Sequence, residues 1–184
     1  MKWIGKRVSY KYHTNFFTMI ISPKTEDWKL WVMFFWFSAW LTCGIVVIYT
    51  LIFTEDMIDS KVYFTTFLLF WFYFLYKISR VILWRKYGTE FIKIDEDRLS
   101  IKKSIFGFGK AREYLLDNIE KFELEPLNEK SYAKVFNDSF WVVGQGTIVI
   151  ISSQKEDNFG AQISLNDRKE IVKILNSTIK KYIQ

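Results

Sequence analysis

The sequence contains one cysteine and one histidine among its 184 residues. Cys43 cannot form a disulfide within one chain, and the chain has no C-x-x-C motif typical of metal or redox sites. His13 has no cysteine or second histidine near it in the sequence, so it predicts neither a zinc site nor a Ser-His-acid triad. A phosphate-binding P-loop is also missing, since "GFGK" at 107–110 is not followed by Ser or Thr. We therefore expect no enzyme activity and no cofactor.

Charge is absent from one long apolar run, Leu30–Phe53, whose 24 residues include no Lys, Arg, Asp or Glu. As a helix this run measures about 36 Å, longer than the hydrocarbon core of a bilayer, which is about 30 Å thick. Trp28 lies just before it, as aromatic residues at a membrane interface do. The sequence therefore predicts a first membrane span, with Trp28 as an interfacial anchor.

A second apolar run begins at Val62, and its uncharged part ends at Tyr76 after 15 residues. That part is only about 22 Å long as a helix, too short to span a bilayer alone. Continued to Trp84, the helix reaches about 35 Å, which is sufficient. Lys77 and Arg80 then lie inside the span near one end, where long cationic side chains can snorkel to the surface. We predict that Lys77, Arg80 and Trp84, on one helix face, anchor the second span.

The same cations have a second interpretation. Glu26 and Asp27 precede the first span, and an antiparallel hairpin brings the start of one helix beside the end of the other. The alternative hypothesis is therefore an ion-pair latch in which Glu26 and Asp27 contact Arg80.

The net charge of +6 belongs to the regions that flank the spans. Residues 1–29 carry a net charge of +4, residues 30–87 carry +2, and residues 88–184 are neutral. Because the loop at 54–61 is acidic, the positive-inside rule predicts a multi-pass inner-membrane protein with two spans and both termini in the cytoplasm, in contact with membrane lipids. The neutral C-terminal part argues against nucleic-acid binding, which favours an excess of basic residues on the soluble surface.

From Gly88 onward, apolar and polar residues alternate as they do in half-buried strands. A final amphipathic helix follows, capped by Ser164 or Asn166, with Ile171, Leu175 and Ile179 in its apolar stripe. We expect seven short strands before this helix, at 90–95, 98–105, 110–116, 118–125, 140–143, 147–153 and 159–165.

Seven antiparallel strands followed by one helix is the order of a pleckstrin-homology (PH) barrel. Residues 140–175 resemble the end of bacterial membrane-anchored PH-like domain proteins, in which a Gly-rich hairpin, an "FG" near the last strand and an acid-capped helix recur. The resemblance implies an α+β membrane protein, in which a transmembrane helical hairpin precedes a small antiparallel PH-like β-barrel capped by the C-terminal helix. We expect Gly144 and Gly146 to provide the positive φ of a tight hairpin, and Gly160 to mark a bulge or a close helix approach.

Three regions follow from this reading. Residues 1–27 form a cytoplasmic arm that can make a β-hairpin around Thr14–Asn15, residues 28–86 form the transmembrane hairpin, and residues 88–184 form the cytoplasmic barrel. The turn at 95–98, "DEDR", is acidic, which departs from the clustered bases that bind phosphoinositides. A small-molecule ligand is therefore left open.

The leading hypothesis is a non-enzymatic membrane protein whose PH-like domain is a protein-interaction or assembly module, with a protein partner or a second copy of the chain. The alternative is a membrane-disrupting effector of the antiphage-defence type, gated by a nucleotide signal bound to the small barrel.

Overall fold

The computed structural model describes residues 1–54, 61–125, 132–153 and 156–183. The chain forms two compact units, which we call the helical unit, Thr25–Leu83, and the sheet unit, Met1–Lys24 with Trp84–Gln184. Most of the predicted acidic loop at 54–61, and the start of the polar stretch that opens at Pro126, lie outside the described residues. The helical unit is therefore an insertion into the sequence of the sheet unit.

The two predicted spans are helices of 27 residues each, α1 (Asp27–Phe53) and α2 (Lys61–Tyr87). Each is about 40 Å long, and both are long and apolar enough to cross a membrane. α2 continues without a break through Lys77 and Arg80, which confirms that the helix does not end at these cations.

The two helices pair through tryptophan side chains. The indole N–H of Trp71 on α2 donates to the carbonyl of Trp40 on α1 at 2.7 Å, and the indole of Trp40 donates to the carbonyl of Trp71 at 3.4 Å. Gly44 makes room for this contact, since a Cβ there would lie 2.0 Å from the Trp71 ring. Small residues allow such close approach between helices in lipid, and the reciprocal bonds leave neither indole donor unsatisfied.

The first sheet of the sheet unit has six antiparallel strands in chain order. The N-terminal arm forms the hairpin that the sequence predicts around Thr14–Asn15, and its last strand pairs with the first strand after α2, with Ile21 opposite Glu90. The arm is thus part of the sheet. The strands are β1 (Lys2–Ile4), β2 (Val8–Tyr12), β3 (Phe17–Ile21), β4 (Gly88–Ile94), β5 (Arg98–Ile105) and β6 (Ala111–Leu115).

The second sheet has three antiparallel strands, β7 (Ile119–Leu124), β8 (Gly146–Ser152) and β9 (Asp157–Ala161). The predicted barrel is therefore wrong, because the strands form two separate sheets and not one closed barrel. The predicted strand at 140–143 is wrong too, since these residues do not form a strand. The carbonyls of Ser139 and Val142 in this region accept bonds from side chains. A short helix, α3 (Tyr132–Asp138), precedes it where a loop was expected.

The C-terminal helix, α4 (Leu165–Ile183), packs on β7, β8 and β1. The Ser164 hydroxyl accepts the N–H of Asp167 at 3.2 Å, which confirms the predicted cap. The predicted apolar stripe is confirmed too, since Ile171, Leu175 and Ile179 are at most 4% exposed. They join a core with residues from both sheets, including Phe17, Ile92, Leu99, Phe122, Ile148 and Phe159.

Polar side chains also connect the two sheets. The buried carboxylate of Glu90 on β4 accepts the backbone N–H of Gly160 on β9 at 2.9 Å. Arg112 and Tyr114 on β6 both bond to Asp157 on β9. Burial and the neighbouring Asp157 raise the pKa of Tyr114 to about 12, so its hydroxyl donates to the carboxylate at neutral pH. These bonds fix the lateral position of one sheet on the other, which apolar packing alone does not specify.

The helix pairing predicts that Gly44→Ala destabilises the full-length protein in detergent. The added methyl group overlaps the Trp71 ring, and overpacking of this kind costs about 1–3 kcal/mol. The melting temperature, followed by tryptophan fluorescence, is expected to fall. Cys43→Ala is the matched control, since Cys43 is exposed on the neighbouring position of α1. Equal melting temperatures for the two variants would contradict the assigned contact.

Candidate functional site: the arginine junction

Arg85 lies in the last turn of α2, within the sheet unit, and is only 3% exposed. Its guanidinium donates through Nη1 to the carbonyl of Pro23 at 3.3 Å, and through Nη2 to those of Val142 at 2.9 Å and Ser139 at 3.4 Å. Pro23 belongs to the segment that leaves the sheet unit, and Arg85 to the segment that returns. One side chain therefore fixes both chain crossings and the 139–142 segment.

Arg7 reinforces the first crossing from the turn between β1 and β2. Its Nε donates to the carbonyl of Ser22 and its Nη1 to the carbonyl of Gln162, each at 2.8 Å. The Gln162 amide in turn donates to the carbonyls of Asn137 and Ser139, each at 2.8 Å. Arg85, Arg7 and Gln162, with the carbonyls that they bind, form what we call the arginine junction. It connects residues that are distant in the sequence.

The electrostatics of the junction are unusual because its cations face backbone dipoles. Both guanidinium groups donate to backbone carbonyls, and among the described residues neither arginine forms an ion pair within 4.0 Å. Burial lowers the pKa of Arg7, and the charge of Asp167 opposes this shift. Since a buried cation without a carboxylate is costly, the hydrogen bonds offset a real desolvation penalty. We infer that the junction holds a fixed geometry.

The predicted membrane anchors fall into different environments. Lys77 and Arg80 are exposed, and the Lys77 ammonium lies 5.5 Å from the ring centroid of Tyr73. Trp28 is 59% exposed, and its role as an interfacial anchor stays a prediction. Trp84 is only 5% exposed, and its ring packs against the backbone at Gly88, where a Cβ would lie 2.6 Å from the ring. Trp84 is therefore buried, whereas Lys77 and Arg80 are exposed, and the anchoring face itself stays a prediction.

The carboxylate of Glu26 is engaged within its own helical turn. It pairs with the Lys29 ammonium at 3.0 Å and accepts the Trp28 indole N–H at 2.7 Å. These two hydrogen bonds lower the pKa of Glu26. The ion pairs of the described residues do not include one from Glu26 or Asp27 to Arg80. The latch to Arg80 therefore stays a prediction.

The three predicted glycines serve the backbone in different ways. Gly144 has a φ of +75°, as expected, although it does not close a hairpin between two strands. Gly146 does not have a positive φ, and its absent side chain admits the backbone of Phe159, whose N would lie 2.1 Å from a Cβ. Gly160 has a φ of +71° and donates its N–H to Glu90. The tight Gly144–Gly146 hairpin is thus corrected.

The sequence patterns single out none of the three residues of the junction, since Arg85 and Arg7 are two of several basic residues that flank the spans and Gln162 belongs to no motif. No local pattern distinguishes a buried arginine at a helix end from an exposed one, because the carbonyls that bind it come from distant segments. The single histidine, His13, packs within its own hairpin: its Nε2 lies 3.2 Å from the Thr18 hydroxyl, and its ring stacks on Phe16.

The junction predicts that Arg85→Gln strongly destabilises the full-length protein. The amide is shorter and uncharged, and hydrogen bonds to charged groups contribute roughly 1.5–3 kcal/mol. We expect a clear fall in melting temperature, measured in detergent by circular dichroism. Lys86→Gln is the matched control because Lys86 is the exposed neighbour on the same helix. Arg85→Lys is expected to restore little, since one ammonium cannot reproduce the planar fork of donors. A melting temperature for Arg85→Gln equal to that of Lys86→Gln would contradict the role of the junction.

No protein-family model matches this chain, and no curated protein matches it.

Proposed function

We propose that the chain is a bacterial inner-membrane protein whose helical unit is a transmembrane hairpin and whose sheet unit is a cytoplasmic, PH-like, non-enzymatic module for protein interaction or assembly. The observation that carries the proposal is the insertion of two long apolar helices between β3 and β4, which are paired strands of one sheet. A module built around its own anchor is held at the membrane surface.

The exposed apolar surface of both helices supports the membrane anchor. Only 11% of the most apolar window in α1, and 17% of that in α2, is buried. A core helix of a soluble protein is mostly buried. Phe35, Tyr49 and Tyr63 are 79%, 63% and 78% exposed, so the helices carry a wide apolar surface that water would not tolerate and lipid would cover.

One further feature supports an assembly module. Arg85 and Arg7 bind carbonyls of the segment that leaves the sheet unit, and Arg85 itself lies on the segment that returns, so both chain crossings are held within the sheet unit. What supports the PH-like assignment is a run of antiparallel strands, six from β4 to β9 where seven were expected, before a final amphipathic helix.

The side of the membrane can be tested with single cysteines in a Cys43→Ser background. Asp59→Cys places a thiol in the segment between the helices, and Glu96→Cys places one in the exposed turn between β4 and β5. On intact cells, a membrane-impermeant maleimide is expected to label position 59 only, and after permeabilisation both positions. Labelling of position 96 on intact cells would overturn the cytoplasmic location.

The module can be tested by extracting the tagged full-length protein into polymer-bounded lipid discs. Quantitative mass spectrometry and mass photometry are then expected to find a stoichiometric protein partner or a homo-oligomer, compared with an unrelated two-span protein at matched expression. A monomer without a partner would contradict the proposal. Depolarisation of cells upon overexpression, read with a potential-sensitive dye, would contradict it in favour of the effector.

A further inference from the structure

The turn between β5 and β6 lies beside the end of α2. β4 follows α2 directly, and its first residue, Gly88, pairs with Ile105 at the end of β5. We call this the helix end of the six-stranded sheet. The opposite end, where Ile94 pairs with Leu99, is the far end. The two ends are about 20 Å apart along β4.

The β5–β6 turn places a phenylalanine where the backbone disfavours one. Ile105 and Phe108 exchange both backbone hydrogen bonds at 3.0 Å, so Phe106 and Gly107 form a two-residue loop. Both have positive φ, at 53° and 81°. This geometry is that of a type I′ turn, which favours Asn or Asp before Gly. A bulky side chain with this φ is uncommon, which suggests that the ring serves a purpose outside the turn.

The turn exposes two aromatic rings. Phe106 is 57% exposed and Phe108 is 85% exposed. The Phe106 ring stacks on Tyr87, the last residue of α2, with centroids 4.2 Å apart. A two-residue turn needs neither ring for its hydrogen bonds, so the pair is an apolar surface attached to the helix terminus.

The length of α2 gives the depth of this surface in the proposed membrane. A hydrocarbon core of about 30 Å accommodates about 20 residues of helix, so a span that begins at Val62 ends near Ile82. Tyr87 then lies about 8 Å beyond the core, at the depth of the headgroups, which form a layer roughly 5–8 Å thick on each side. The Phe106 ring stacks on Tyr87, so the turn lies beside the end of α2.

The helix end of the sheet is more basic than the far end, and an anionic leaflet attracts basic residues. At the helix end, four exposed lysines lie in the turns and at the end of α2. At the far end, the β4–β5 turn holds three consecutive acids, and the exposed cations there are Lys11 and Arg98. Lysines near an anionic surface contribute attraction that adds to apolar insertion. The lysines are Lys6, Lys24, Lys86 and Lys110, and the acids are Asp95, Glu96 and Asp97.

We infer that the β5–β6 turn inserts Phe106 and Phe108 into the interfacial layer of the adjoining anionic leaflet, as a third membrane contact beside the two helices. The inference rests on the proposed membrane span.

The test uses the full-length protein in a Cys43→Ser background, reconstituted in nanodiscs of phosphatidylcholine and phosphatidylglycerol. An environment-sensitive fluorophore is placed at Lys110→Cys, which leaves both phenylalanines intact, and quenching by lipids spin-labelled at a shallow depth is measured. Glu96→Cys, at the far end, is the matched control. We expect at least twofold stronger quenching at position 110 than at position 96. In the Phe106→Ser/Phe108→Ser variant, quenching at position 110 is expected to fall to the level of position 96.

A third label separates this inference from the proposed anchor. Leu69→Cys, at a 68% exposed position in the middle of α2, is expected to be quenched by deeply spin-labelled lipids in every variant. Strong quenching at position 69 with equal quenching at positions 110 and 96 would overturn the turn insertion alone. Absence of quenching at position 69 would overturn the membrane span, and the turn insertion with it. Shielding of position 110 in detergent, dependent on protein concentration, would assign the turn to a second copy and also overturn the inference.

Discussion

The buried guanidinium of Arg85 holds together the three segments of the sheet unit that meet at its chain crossings: residues before α1, the end of α2 and residues 139–142. The segment before α1 and the segment after α3 are irregular, so their carbonyls have no ladder partners, and the planar fork of one arginine binds both segments. This constraint places a cation in the protein interior without a carboxylate within ion-pair distance among the described residues. Three carbonyl groups accept hydrogen bonds from the Arg85 guanidinium and offset part of its desolvation cost. Arg7 is held in the same way by the carbonyls of Ser22 and Gln162.

The two units satisfy their polar groups in different ways. In the helical unit, the indoles of Trp40 and Trp71 bond to backbone carbonyls of the facing helix, which suits an environment where no water is available. In the sheet unit, charged side chains join the sheets, with Glu90 on Gly160 and Arg112 on Asp157. In both units, these hydrogen bonds fix the relative position of two packed elements, which non-directional apolar packing does not specify.

The insertion of the helices between two paired strands makes the two chain crossings neighbours in the sheet unit. Because β3 and β4 are neighbours in one sheet, loss of the helix ends would also disturb the pairing of Ile21 with Glu90 and of Gly88 with Ile105. The two crossings are therefore joined within the sheet unit by the backbone hydrogen bonds of β3 and β4 as well as by Arg85.

The sequence alone determined the elements whose signals are local. An uncharged run long enough to span a bilayer predicts α1. A span of the same length requires α2 to continue past Lys77 and Arg80. Apolar residues at a period of 3.6, after Ser164 as cap, predict α4. Tertiary structure decided what depends on distant partners. The arm pairs with β4 because a strand pairs with a free sheet edge, and the sequence of the arm does not show which edge that is. Residues 140–143 are irregular, and the carbonyl of Val142 accepts hydrogen bonds from Arg85 and Gln162. Trp84 is buried although it follows an exposed helix face, because burial depends on the tertiary packing around a residue and not on its place in a local pattern.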